Sequence, residues 1–147
     1  MKKGQAAMEF LMTYGWAILV VLAAIGALAY FGVLSPDRFM PSKCLVSGGF
    51  SCTEYKITTT EVKMNIQNNL GVDATNVVID LTPQLPSTCS VTSFTYPTVN
   101  NGAVTGVAAY TCEVSGKFKG DINIIYTKSG ESINHTTTGS ISGGIEN

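Results

Sequence analysis

Positions 10 to 34, "FLMTYGWAILVVLAAIGALAYFGVL", are 25 consecutive residues without a charge, apolar on every side of any helix drawn through them. As an α-helix the run measures about 37 Å at about 1.5 Å per residue, against a hydrocarbon core of about 30 Å. A membrane-spanning helix is therefore predicted. Pro36 and Pro41 follow in "SPDRFMPSKC", so the helix, drawn over residues 5–35, should end near Leu34, with a short linker over 36–43.

From residue 44 the pattern changes from continuous to alternating. In "TEVKMNIQNN", Val62, Met64 and Ile66 alternate with Glu61, Lys63, Asn65 and Gln67, and "TNVVIDL" repeats this with Val77, Ile79 and Leu81; such alternation marks half-buried strands. Asn68, Asn69 and Gly71 between them supply turn chemistry. "CSVTSFTY", "VTGVAAYTCEV", "GDINIIYT" and "ESINHTTTGSI" continue the series, each bounded by Gly, Pro, Asn or Ser. Six or seven strands in about 100 residues predict an antiparallel sandwich of immunoglobulin-like size. The expected fold is thus α+β: a long N-terminal hydrophobic helix, then an all-β head over 44–147.

Charge sharpens the reading of the N-terminus. A secretory signal has an apolar core of about 7–15 residues before its cleavage site, and this run is about twice as long. Lys2 and Lys3 form a positive patch of the kind retained in the cytoplasm, which places the head outside. A plain anchor leaves Glu9 unexplained. It sits at the edge of the apolar run, four residues and one helical turn after Gln5, and a carboxylate deep in lipid costs of order 2–3 kcal/mol.

The stretch "KKGQAAMEFLMTYGWAILVVL" resembles the class III signal and N-terminal helix of archaeal type IV pilin-like proteins, in which a short basic leader ends in Gly, cleavage exposes Gln, and Glu follows four residues later. The resemblance covers roughly the first 32 residues; Ala7 stands where family members often have Ser. It implies that a prepilin peptidase removes residues 1–4 by cutting between Gly4 and Gln5 on the cytoplasmic side, leaving the helix on the mature chain. The freed α-amino group of Gln5, with a reference pKa near 8, is then a cation beside Glu9. Glu9 either neutralises that amine or guides docking, or serves as an interfacial carboxylate at the positive end of the helix dipole.

The helix composition suits assembly as well as lipid. Gly15, Ala17, Ala23, Ala24, Gly26, Ala27, Ala29 and Gly32 allow close backbone approach, while Phe10, Trp16, Leu19, Leu22 and Phe31 offer bulk around the rest. A helix apolar on all sides is satisfied by lipid or by other helices. Phe10, Trp16, Leu19, Leu22, Gly26 and Phe31 are the expected packing residues of a filament core.

Four cysteines, all in the head, suit an oxidising exterior, and three pairings are possible. Cys44 and Cys52 flank Gly48 and Gly49, so a local loop closes easily. If a two-residue turn is centred on Asn100 and Asn101, Cys89 faces Cys112 across a regular hairpin. Pro97 and Gly106 could interrupt that ladder, and a turn centred on Asn101 and Gly102 would shift the register by two. Spacings without CxxC and with one histidine argue against zinc.

No catalytic constellation emerges. His135, the sole histidine, lies in "SINHTTT" with no Cys or acidic partner evident beside it, and reads as a surface strand residue. There is no phosphate loop or nucleophile elbow, so neither enzyme activity nor a cofactor is expected. Asn134, His135 and Thr136 form a sequon, a possible N-glycosylation site. Without Lys2 and Lys3 the chain has seven basic and ten acidic residues, a net charge of −3, which disfavours nucleic acid as a partner. Lys117 and Lys119 read as a solvated strand edge.

The expectation is a structural pilin: a membrane precursor handled by a prepilin peptidase and an assembly platform, then a homo-oligomeric extracellular filament serving adhesion. Archaellin-like motility filaments share the plan, but their usual N-terminal pattern lacks "QAAMEF". A monomeric membrane-anchored surface binding protein is the alternative from another class, though about 104 residues leave little room for a ligand cleft.

Overall fold

The computed structural model describes residues 2–32 and 41–146. The chain divides between residues 40 and 41 into two compact units. The first holds helix α1, Lys2–Tyr30. Leu, Ala, Met and Ile keep it helical, with no proline before residue 36 to break it. It closes in a tightened turn, where Phe31 N donates to Ala27 O (3.0 Å) and Gly32 N to Ala29 O (3.1 Å). Gly32 takes φ 68°, the left-handed conformation that ends helices and that glycine adopts without a Cβ penalty.

Two details of the helix differ from the drawn range of 5–35. The helix begins at Lys2, so the leader is continuous with it, and Phe31 lies in the closing turn rather than in the helix. The predicted end at Leu34 and most of the linker lie outside the described residues.

Among the described residues the head is an all-β sandwich of nine strands. They are β1 (Lys43–Val46), β2 (Phe50–Ile57), β3 (Glu61–Asn68), β4 (Ala74–Pro83), β5 (Thr88–Cys89), β6 (Ser93–Val99), β7 (Ala108–Glu113), β8 (Phe118–Lys128) and β9 (Asn134–Gly143). One sheet runs β1-β9-β8-β4-β6 and the other β2-β3-β7-β5, with antiparallel pairing throughout.

Alternation along the strands builds the core. Val62, Met64 and Ile66 of β3, Val77, Ile79 and Leu81 of β4, and Ile122 and Ile124 of β8 are all buried, each separated by a residue facing outward. Tyr110 of β7 crosses the sandwich, its hydroxyl donating 2.9 Å to the backbone oxygen of Ile79 in the opposite sheet. Gly139 lets β1 close on β9, because a Cβ there would run into the Leu45 backbone oxygen.

The strands beyond the expected six or seven are β2, which changes phase, and short β1 and β5. In β2 a bulge between Cys52 and Glu54 shifts the inward set from Phe50 and Cys52 to Tyr55 and Ile57, which breaks period-2 alternation. β5 has two residues, and "CSVTSFTY" divides between β5 and β6, which lie in different sheets.

Chain entry and exit share one pole of the head. Lys43, the first residue of β1, pairs with Ser142 near the end of β9, and Glu146 N donates 2.7 Å to Ile57 O at the end of β2. At the opposite pole the registers collect four turns: residues 47–49, 69–73, 100–107 and 129–133.

Candidate functional site

Gly4 and Gln5 fall in the first turns of α1 and Glu9 one turn further on. The opening N–H groups of a helix have no intrahelical acceptor, and glycine weakens a helix by about 1 kcal/mol relative to alanine. The Gly4–Gln5 peptide therefore sits where the helix unwinds most easily. Among the described residues the Glu9 carboxylate has no hydrogen-bond or salt-bridge partner; its backbone oxygen accepts the Thr13 hydroxyl at 2.8 Å. From Phe10 to Tyr30 the uncharged part of α1 is 21 residues, about 31 Å long. That matches the hydrocarbon thickness and puts Glu9 at its edge.

No residue of α1 is buried. Phe10, Trp16, Leu19 and Leu22 are each more than half exposed. Phe10, Tyr14, Ala17, Ile18, Val21 and Leu22 line a shallow apolar groove of about 420 Å³ along one side, and the Phe10 and Tyr14 rings lie 4.8 Å apart. Gly15 and Gly26 have nothing within 4 Å of where a Cβ would stand, so no packing within the chain requires glycine there. By length and composition α1 is able to cross a membrane.

The head contains the disulfides Cys44–Cys52 and Cys89–Cys112. Cys44 is on β1 and Cys52 on β2, so the first bond ties one sheet to the other rather than closing a simple loop. Cys89 and Cys112 are register partners on β5 and β7, yet the predicted hairpin between them does not form. β6 pairs with β4 instead, and the turn centres on Asn101 and Gly102, with Ala103 N donating to Asn100 O at 3.0 Å. The chain crosses to the other sheet and returns, and the shared register follows from that route.

The pole opposite chain entry is stitched by Asn68 and Asn101, expected only as turn formers, and by Asp73. Asn68 is fully buried; its Nδ2 donates to Val72 O and Val99 O, both at 2.9 Å, and its Oδ1 accepts Leu70 N at 2.9 Å. Asn101 Oδ1 accepts Gly71 N (3.0 Å), and Asp73 Oδ1 accepts Asn101 N (2.7 Å). Ser129 N donates to Asp73 O at 2.9 Å. Three turns are thus fixed to one another. The spacing of Asn68, Asp73 and Asn101 gives no warning of it, since the bonds that link one turn to another join residues 28 to 56 positions apart.

His135 does have an acidic partner, contrary to expectation. Its Nε2 lies 2.6 Å from Glu131 Oε2, reached back across the β8–β9 turn, and its ring stacks on Tyr126 at 5.4 Å. The hydrogen bond from His135 holds the Glu131 carboxyl below the usual glutamate range. Asn134 opens β9 in an exposed position, its Oδ1 accepting the Thr127 hydroxyl at 2.8 Å. Lys119 is not on a sheet edge, because β8 pairs with β9 on one side and β4 on the other; Lys117 precedes that strand. Among the described residues no group of three or more His, Cys, Asp or Glu is placed to hold a metal ion. No family model matches the chain, and no curated protein is significantly similar to it.

Proposed function

We propose that this chain is the structural subunit of an archaeal type IV pilus-like extracellular filament, polymerising through α1 and presenting the head outward for adhesion. The observation that carries the reading is the contrast between the two units. The head closes its own core, whereas fourteen large apolar side chains of α1, from Met8 to Tyr30, stand exposed. Covering each such side chain is worth about 1.5–3 kcal/mol, so α1 requires lipid or other helices around it. A pilin uses both in turn, waiting in the bilayer and then entering a filament core.

The N-terminal resemblance supplies the order of events. A prepilin peptidase cuts after Gly4, where the helix opens at low cost. The new amine on Gln5 lies one turn from Glu9, whose carboxylate lacks another partner among the described residues. Pairing them, within a subunit or between neighbours, removes two charges from an apolar assembly. The assembly platform then draws helices together, with Gly15 and Gly26 offering bare backbone for close approach. The stitched pole of the head, away from chain entry, is the surface offered to what the filament adheres to.

Electron microscopy of material sheared from expressing cells, with N-terminal mass spectrometry, tests this reading. Thin filaments built from a chain that starts at Gln5 are expected. Membrane-bound monomer alone would overturn it and favour the anchored binding protein.

A further inference from the structure

We propose that the Cys44–Cys52 disulfide is a load-transfer clamp, which carries tension arriving from α1 past the weak first strand of the head and into both sheets at once. The inference rests on the reading of α1 as the part by which the chain is held. Tension on a held chain enters the head at its first strand. That strand is a weak place to receive it: β1 has four residues, lies at the edge of its sheet and is laddered to β9 alone. Cys44 is its second residue, directly after Lys43.

The bond from Cys44 leads out of that sheet to Cys52 on β2. β2 has eight residues laddered to β3 through seven register pairs. Force reaching Cys44 therefore divides between the short β1–β9 ladder and the longer β2–β3 ladder in the opposite layer. The stretch between Cys44 and Cys52 is taken out of the path. The two cysteines are eight positions apart, with Cα atoms 5.8 Å from each other, whereas eight steps drawn out reach about 26–29 Å. Without the bond, peeling β1 would lengthen the chain by roughly 20–25 Å before β2 took load; with it, that length is not available. Cys89–Cys112 lies within one sheet, between β5 and β7, outside this path, and serves as an internal control.

The test pulls the full chain in a lipid nanodisc between click-reactive residues placed at Pro41 and Ser132, in an optical trap. The wild type is expected to hold without an early step, and so is Cys89→Ser/Cys112→Ser. Cys44→Ser/Cys52→Ser should show an added early extension of roughly 20–25 Å before the main rupture. Should that variant fail to fold, Cys89→Ser/Cys112→Ser is pulled with and without reductant, so that only the Cys44–Cys52 bond is cut. An early extension already present in the bridged protein, or none after the bond is cut, would overturn the clamp. The trap records a single chain, so failure to find filaments in sheared material would sink the pilin reading while leaving this result standing.

Discussion

Tyr110→Phe isolates a side-chain hydrogen bond that crosses the middle of the sandwich. Tyr110 is fully buried, its hydroxyl 2.9 Å from Ile79 O, and Phe keeps the ring's edge contact with Phe94 at 4.9 Å. At neutral pH the loss should be about 1–2 kcal/mol, from the bond itself and a less satisfied buried carbonyl. For a domain near 100 residues each kcal/mol moves the midpoint by about 4–8 °C.

Alkaline pH changes the balance. Burial first, then the charges of Tyr96 and Asp80, push the Tyr110 hydroxyl far above its ordinary value. The folded protein keeps that proton while the unfolded chain releases it above a pH of about 10. A raised folded pKa means the contribution is whole below pH 10 and drains as pH rises beyond it, by about 1.4 kcal/mol at pH 11. Tyr96 is also raised, by burial with an opposing hydrogen bond from Thr105, but it is common to both proteins and cancels in their difference. Guanidinium unfolding of the full chain in micelles, followed by near-UV circular dichroism, should show the gap between wild type and Tyr110→Phe close almost completely between pH 9 and pH 11. A gap that stays constant would refute the reasoning.

Glu9→Gln should leave processing intact and filaments scarce, read as cleaved protein accumulating in the membrane fraction; undiminished filament yield would reduce Glu9 to an interfacial carboxylate. In a carbon-detected NMR titration Glu131 should titrate below the usual glutamate range, and His135→Gln should return it upward, since the hydrogen bond from His135 is the leading cause of the shift. Asn134 should bear a glycan on chain isolated from its own cells, and Asn134→Gln should remove that mass from the peptide; an unmodified wild-type peptide dismisses the sequon as chance.

The parts of the fold legible in advance were those written in local periodicity. β3 and β4 announce themselves because Val62, Met64, Ile66, Val77, Ile79 and Leu81 keep strict alternation, and α1 because no charge interrupts it from Phe10 to Tyr30. β2 stayed hidden because its bulge moves the inward phase from Cys52 to Tyr55, and β5 because two residues have no period. The Cys89–Cys112 pairing was expected from a hairpin that does not form, with its turn placed one residue early; whether β6 joins β7 or β4 depends on packing between distant strands. The same holds for the candidate site. Gly4, Gln5 and Glu9 lie within one short motif and can be read off directly, whereas Asn68, Asp73 and Asn101 gain their roles only when the fold brings their loops together.

Chain entry and exit at one pole make the head an interchangeable cassette. The backbone at Glu146 lies beside Ile57, at the pole of the head where β1 begins and away from the turns of the opposite pole. Residues 129–133, by contrast, lie in the β8–β9 turn, at the pole away from both Lys43 and Glu146. The same separation leaves the turns at that pole free to change in sequence without disturbing the β1–β9 pairing at which the head begins.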